Sequence, residues 1–270
     1  MADDTLLDDV GTLLQKAADE VVVPLFRKLD AADVAEKAPG EIVTVADRRA
    51  EELISARLRE LRPDSVVVGE EAVADDRDLL RHLDGGGDVW LVDPVDGTSN
   101  FAAGRRPFAL MAALLTDGEP TAAWVLDPLA GLLATARAGD GTYLDGQPVR
   151  LPEGAPPPQE LRGVAMTRFL PPAARERVSA GRSRIGELLP GQHCAGREYL
   201  DILTGRQQFA LFWRTLPWDH APGALLVRLA GGVARRFDGS EYHPADEGHG
   251  LLVAANEQVW TEVRDTLLGD

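Results

Sequence analysis

The stretch VWLVDPVDGTSN, residues 89–100, runs an apolar strand directly into two aspartates, Asp93 and Asp96, and then into Gly97, Thr98 and Ser99. The bulky run Val89-Trp90-Leu91-Val92 has the pattern of a buried strand. Acids at the end of such a strand face a crevice rather than open solvent. Carboxylates this close repel one another at pH 7 unless water, a shared proton or a cation compensates them. Asp-Pro-Val-Asp-Gly taken alone is ordinary surface-turn composition, and the apolar run ahead of it argues against that simpler reading.

Around this motif the chain alternates helical and strand patterns, which predicts a layered α/β protein. Apolar residues at Leu6, Leu7, Val10, Leu13, Leu14, Ala17 and Val21 predict an amphipathic helix over residues 4–22, with Pro24 bending or ending it. A second helix is expected from about Asp47 to the stop at Pro63, followed by the short strand SVVVGEE and a polar helix around Leu79–Leu83. Residues 107–150 are strand-rich, in FALMAALLT, TAAWVLD and GLLATARAG. The proline run of LPEGAPPPQE suits neither a helix nor a central strand. It therefore divides the chain into an N-terminal half, 1–155, and a C-terminal half, 156–270. The latter is expected to end in a helix opened by Asp219, the strand GLLVAAN and a terminal helix.

The 270 residues carry 28 Lys and Arg against 44 Asp and Glu, a formal charge of −16. That charge argues against general nucleic-acid binding, which uses basic surface to neutralise phosphates. It also repels any anionic substrate, which must then be met by local positive charge. No apolar run approaches the ~20 residues of a membrane span. The acidic start MADDTLLDDVGTLL is unlike a secretory signal, and Cys194 is the only cysteine, so a cytoplasmic protein without intrachain disulfides is expected.

Spacing separates the possible roles of the acids. A calcium loop of EF-hand type places acids or amides at alternating positions and a Glu at the twelfth, whereas Val95, Gly97 and Gly104 stand there. Aspartate-nucleophile phosphatases of the haloacid dehalogenase type need a second Asp where Val95 stands. Metal-assisted hydrolysis fits better, because Mg²⁺ selects carboxylate and carbonyl oxygens, and paired ions can hold a phosphate and activate water. Glu70 and Glu71 after the SVVV strand, and Asp219, add carboxylates at element ends. A solvated strand end and a helix N-cap are their ordinary alternatives.

TVADRRAEELI, VVVGEE, WLVDPVDGTSNF and PWDHAPGALLVRLAGG follow one another in the order and approximate separation of the inositol monophosphatase family, which the chain resembles over nearly its whole length. The resemblance implies an αβαβα sandwich of the inositol monophosphatase and fructose-1,6-bisphosphatase type. It implies more than one Mg²⁺ per site, held by Glu70, Asp93, the Val95 backbone oxygen, Asp96 and Asp219. It also implies a water oriented by Thr98 and Asp47, with Glu70 in the catalytic set and Glu71 supporting it from behind. Gly97, with Asp96 and Thr98, lies where the substrate phosphate is held, since a glycine lets backbone approach closely. A small phosphorylated substrate and a homodimer follow from the same resemblance.

Two departures fall on the side that holds the alcohol. Many members carry a Glu ahead of the Trp-Asp pair, whereas FALFWRTLPWD has Phe212 at about that place and Arg214 as its only cation. The Gly-Ser before the next helix is replaced by His193-Cys194. Arg214 is either a surface ion-pair partner or a substrate contact favouring hydroxyls or a second anion over cationic histidinol. The expected activity is thus Mg²⁺-dependent hydrolysis of a small polyol or sugar phosphate. Fructose-1,6-bisphosphatase, 3′-phosphoadenosine nucleotide phosphatase and histidinol-phosphatase are alternatives within the same chemistry. A non-catalytic metal- or phosphate-binding regulatory protein is the alternative of another class.

Overall fold

A computed structural model describes residues 5–38 and 40–269. The chain opens with α1 (Leu6–Ala17), which continues through a π-helical turn (Ala18–Val22) into the short α2 (Val23–Leu25). The first residue of the expected helix, 4, lies outside the described residues. The helix ends at Leu25, one residue past Pro24, and the π-helical turn directly ahead of the proline is its local distortion. The hairpin β1 (Val34–Ala38) and β2 (Glu41–Thr44) pairs only with itself, and α3 (Val45–Leu61) follows at once. Next come β3 (Val66–Gly69), α4 (Glu70–Asp75), a 3₁₀ segment (Arg77–Asp84) where a polar helix was expected, β4 (Asp88–Asp96) and α5 (Thr98–Ala102). The meander β5 (Ala109–Thr116), β6 (Glu119–Asp127), β7 (Leu132–Arg137), β8 (Gly141–Leu144) and β9 (Gln147–Val149) completes a seven-stranded sheet with β3 and β4 at one edge.

After the proline-rich stretch the elements are β10 (Arg162–Ala165), α6 (Pro172–Gly181), β11 (Glu187–Leu189) and α7 (Ala195–Leu203). They continue as β12 (Phe209–Phe212), α8 (Pro217–Leu229), β13 (Val233–Arg236), β14 (Leu251–Ala254) and α9 (Glu257–Leu267). Their strands form a five-stranded sheet in the order β11-β10-β12-β14-β13.

Alternation along the central strands assigns each face to a layer. In β5 and β6, Leu110, Ala112, Trp124 and Leu126 pack against α1 and α3, while Ala109, Met111, Ala123 and Val125 face α7 and α8. In β12 and β14, Ala210, Phe212, Leu251 and Val253 join that same inner core. Their neighbours Phe209, Leu211, Leu252 and Ala254 face α6 and α9. The result is the αβαβα sandwich, with α7 and α8 as its central layer.

That layer is tightly built. A Cβ on Gly223 of α8 would lie 2.1–2.3 Å from ring atoms of Tyr199 on α7, and that ring is stacked on Phe212 with centroids 5.6 Å apart. Gly223→Ala therefore overpacks the layer, and we expect it to lower stability by about 1–3 kcal/mol. Urea unfolding should show a lower midpoint at unchanged slope. Gly154→Ala, with no atom within 4 Å of the added carbon, should leave the midpoint unchanged.

Candidate metal and phosphate site

Strict alternation would send Asp93 and Asp96 to opposite faces of β4. The β4–β5 register shifts between Asp93, opposite Met111, and Asp96, opposite Ala109. Met111 and Ala109 both face the central layer, so the bulge turns both aspartates toward α7 and α8. Pro94 sits in the bulge, where its missing N–H removes no ladder bond. Beyond Asp96 the chain reverses through Gly97 at φ +87°. A Cβ there would come within 3.2 Å of the carbonyl oxygens of Pro107 and His193.

The other acids arrive from separate elements. Glu70 and Glu71 begin α4 rather than closing a solvated strand end, and Glu71 is buried. Asp219 lies in the first turn of α8, whose N-cap is Leu216, so it does not cap the helix. Single oxygens of Glu70, Asp93 and Asp219 come within 4.8 Å of one another. Asp93 is almost fully buried. Burial raises its carboxyl well above the usual range, and the charges of Glu70, Asp96, Asp219 and Asp47 add to the effect. Asp219 is raised in the same way, first by burial and then by Glu70 and Asp96, with a hydrogen bond to Asp93 offsetting part of it. Three acids in low dielectric with a mutual opening of this size fit a small hard cation.

Asp96 meets a different environment. Its Oδ2 accepts from Gly196 N at 2.7 Å and Cys194 Sγ at 3.0 Å, and its Oδ1 accepts from Ala195 N at 3.0 Å. The N-terminus of α7 thus compensates Asp96, which lies outside the group formed by Glu70, Asp93 and Asp219. Cys194 is a buried donor to this carboxylate, and burial pushes its thiol up, away from a nucleophilic role.

Thr98 and Asp47 come together. Thr98 Oγ1 lies 3.0 Å from Asp47 Oδ1 and 2.9 Å from the Val95 carbonyl oxygen, both acceptors for its one proton. Asp47 Oδ2 accepts from Thr44 N at 2.9 Å and Thr44 Oγ1 at 2.5 Å, which fixes the carboxylate in a capping box at the start of α3. Burial lifts Asp47 to about 7, although the Thr44 hydroxyl partly opposes the shift.

Two supporting residues were not singled out in the sequence. Lys37, on β1, donates to Glu70 Oε1 at 2.6 Å and Glu71 Oε1 at 2.7 Å. Burial lowers its ammonium, but the charges and hydrogen bonds of the two glutamates outweigh that and hold it above its ordinary value. Glu51, one turn after Asp47 on α3, accepts from Glu71 N and Ala72 N at 2.8 Å each, and burial raises it to about 7. Its four-residue spacing from Asp47 was a usable signal. Lys37 had none, because only folding brings the hairpin against α4.

Glu70, Asp93, Val95, Asp96, Gly97, Thr98, Asp219 and Arg214 all line one cleft of about 620 Å³. Arg214 lines the cleft and forms the ion pair that the sequence allowed, donating to Glu41 Oε1 at 2.6 Å. His220 is structural. Burial lowers it to about 3, so it is neutral, and its Nε2 lies 2.9 Å from Arg214 O, which can only accept. Nδ1 is then the acceptor for the Tyr199 hydroxyl at 3.0 Å.

The family model described as the inositol monophosphatase family matches residues 3–268. The chain belongs to that family. Similar proteins include a "Nus factor SuhB" of Pseudomonas aeruginosa, 31% identical over 93% of this chain and 92% of its own length. A "Fructose-1,6-bisphosphatase/inositol-1-monophosphatase" of Thermotoga maritima is 30% identical over 77% of each. Among solved structures, a T. maritima IMPase superposes with a TM-score of 0.79 at 26% identity, covering 97% of both chains. The suhB protein of Bartonella henselae reaches 0.83 at 23% identity over 98% of this chain and 99% of its own, a likeness of fold alone. Among the described residues of this family member, no helix is long and apolar enough to cross a membrane.

The raised carboxyls make the folded metal-free protein hold protons that the unfolded chain has already released. Their contribution to stability is therefore fully present below the ordinary values of 3.8 for Asp and 4.5 for Glu, and is lost as pH rises to about 7, where Asp47 and Glu51 ionise. A cation offsets the repulsion only once these groups are ionised. Added MgCl₂ should accordingly raise Tm more at pH 8 than at pH 5, relative to NaCl of equal ionic strength. An equal rise at both values, or none at pH 8, would contradict this linkage.

Proposed function

We propose that the protein is a Mg²⁺-dependent phosphomonoesterase acting on a small polyol or sugar phosphate. The observation that carries this reading is the Thr98–Asp47 pair: Thr98 lines the cleft with Glu70, Asp93 and Asp219, and its Oγ1 lies 3.0 Å from Oδ1 of the buried Asp47. A site that only bound a cation would not need this hydroxyl–carboxylate pair beside its ligands. Glu70, Asp93 and Asp219 would hold Mg²⁺, more than one ion sharing the acidic cluster with the Val95 carbonyl and the spare lone pair of Asp96 Oδ1. Bound there, Mg²⁺ supplies positive charge to the phosphoryl oxygens and acidifies water.

The chain's own groups do the rest. Thr98 donates a hydrogen bond to Asp47 Oδ1, which leaves an Oγ1 lone pair free to accept one from the attacking water. As the water attacks, its proton passes to Thr98 Oγ1 while the Thr98 proton passes to Asp47, and the departing alkoxide is protonated by solvent. The turn at Gly97–Ser99 receives the phosphate, and Glu71, bound to Lys37, steadies Glu70. On this reading the protein is cytoplasmic, and the two halves, 1–155 and 156–270, each contribute ligands.

A second reading, a regulatory protein that does not turn over substrate, is favoured by the name of the SuhB relatives. The two separate on substitution. Asp93→Asn removes a charge from the cation cluster, so Mg²⁺ affinity and phosphate release should fall together. Thr98→Ala should keep Mg²⁺ binding while kcat falls by roughly 10²–10⁴-fold, the usual loss of a positioned proton-transfer group. Calorimetric Mg²⁺ titration beside phosphate release over a panel of esters checks both. Full activity in Thr98→Ala would remove its assigned role, and no release from any ester would favour the regulatory reading.

A further inference from the structure

The cleft continues past the acids onto a wall of different chemistry. At about the place where the family resemblance puts an acid, Phe212 is buried, with its ring 4.7 Å from His220. Beyond it Phe169 stands 48% exposed, although large apolar side chains elsewhere among the described residues are nearly all covered. Two guanidiniums flank its ring: Arg168 Cζ lies 5.0 Å and Arg214 Cζ 5.3 Å from the centroid. An aromatic face holds a guanidinium by cation–π attraction without consuming its N–H donors.

Those donors are available. Among the described residues no carboxylate lies within ion-pair distance of Arg168, and its Nη2 reaches toward Gly40 on the opposite hairpin, 3.4 Å from where a Cβ would sit. Arg214 is paired with Glu41, but both side chains are more than a third exposed, at 37% and 36%. Such pairs are weak and exchange readily with a better anion. Lys37, by contrast, is committed to Glu70 and Glu71.

We propose that Arg168 and Arg214, aligned by Phe169, form a subsite for a second anionic group on the alcohol portion of the substrate. This deepens the phosphatase reading and rests on it for the position of the scissile phosphate. In a chain of formal charge −16, an additional negative group on the substrate is repelled by the overall field. A preference for it therefore requires local cations, and these two face the cleft beyond the acids.

Glucitol 6-phosphate and 6-phosphogluconate test the proposal, because they differ only by a CH₂OH or a carboxylate at the far end of the six-carbon chain and share one scissile phosphate. With Mg²⁺ in excess, kcat/KM should be at least about 10-fold higher for 6-phosphogluconate, the usual gain of a charge-assisted hydrogen bond. The advantage should reside in KM and shrink as salt is added. Arg168→Ala and Arg214→Ala should each collapse the ratio toward 1, and Arg168→Lys should keep part of it. Arg77→Ala, which removes a cleft cation outside the subsite, should leave it unchanged. A wild-type ratio near 1 or below, a ratio untouched by both alanine variants, or an equal collapse in Arg77→Ala overturns the subsite. If neither ester is cleaved, the phosphatase reading is decided by the wider ester panel. The subsite is then judged by calorimetric Kd values for the same pair in the same buffer, where a 10-fold preference sustains it and equality ends it.

Discussion

Five carboxyl groups from four elements meet where the layers join: Asp47 on α3, Glu70 on α4, Asp93 and Asp96 on β4, and Asp219 on α8. Moving such charges out of water is costly, and their mutual repulsion compounds the cost. The surrounding fold is largely a set of answers to this concentration. Asp96 is met by the N-terminus of α7, Asp47 by Thr44, and Glu70 by Lys37. Asp93 has the Val95 amide and its contact with Asp219, but among the described residues no cation pairs directly with either, which makes the centre a place for cations.

The central layer connects these answers. α8 carries Asp219 at one end and Gly223 one turn later, where it presses on Tyr199 of α7. α7 in turn presents the amides that hold Asp96. Packing and electrostatics therefore share a scaffold, and a change that separates α7 from α8 disturbs two carboxylates together.

Much of the layered fold was legible because it follows local periodicity. Continuous apolar runs in β5, β6 and β12 mark strands covered on both faces, and the three-and-four spacing of α1 marks one face of a helix. Legibility failed where tertiary packing overrode a local signal: the Glu-Glu pair opens a helix instead of closing a strand. In the site, the acids were visible because they punctuate apolar runs. Their partners were not, since Lys37–Glu70, Asp96–Gly196 and Arg214–Glu41 join residues 33, 100 and 173 positions apart. The same-side placement of Asp93 and Asp96 depends on a bulge that strict alternation does not foresee.

The β1–β2 hairpin has a consequence for the lip of the cleft. Its strands pair only with each other, and an isolated two-stranded ribbon is marginal in water. It is moored on one bank by Lys37 to α4 and on the other by Glu41 to Arg214. The Glu41–Arg214 pair is exposed enough to be screened by salt, whereas the largely buried Lys37 pairs and the buried Val43 are screened little. The lip of the cleft is thus held more firmly at its acid end than at its Arg214 end, an asymmetry set by where the charges meet solvent.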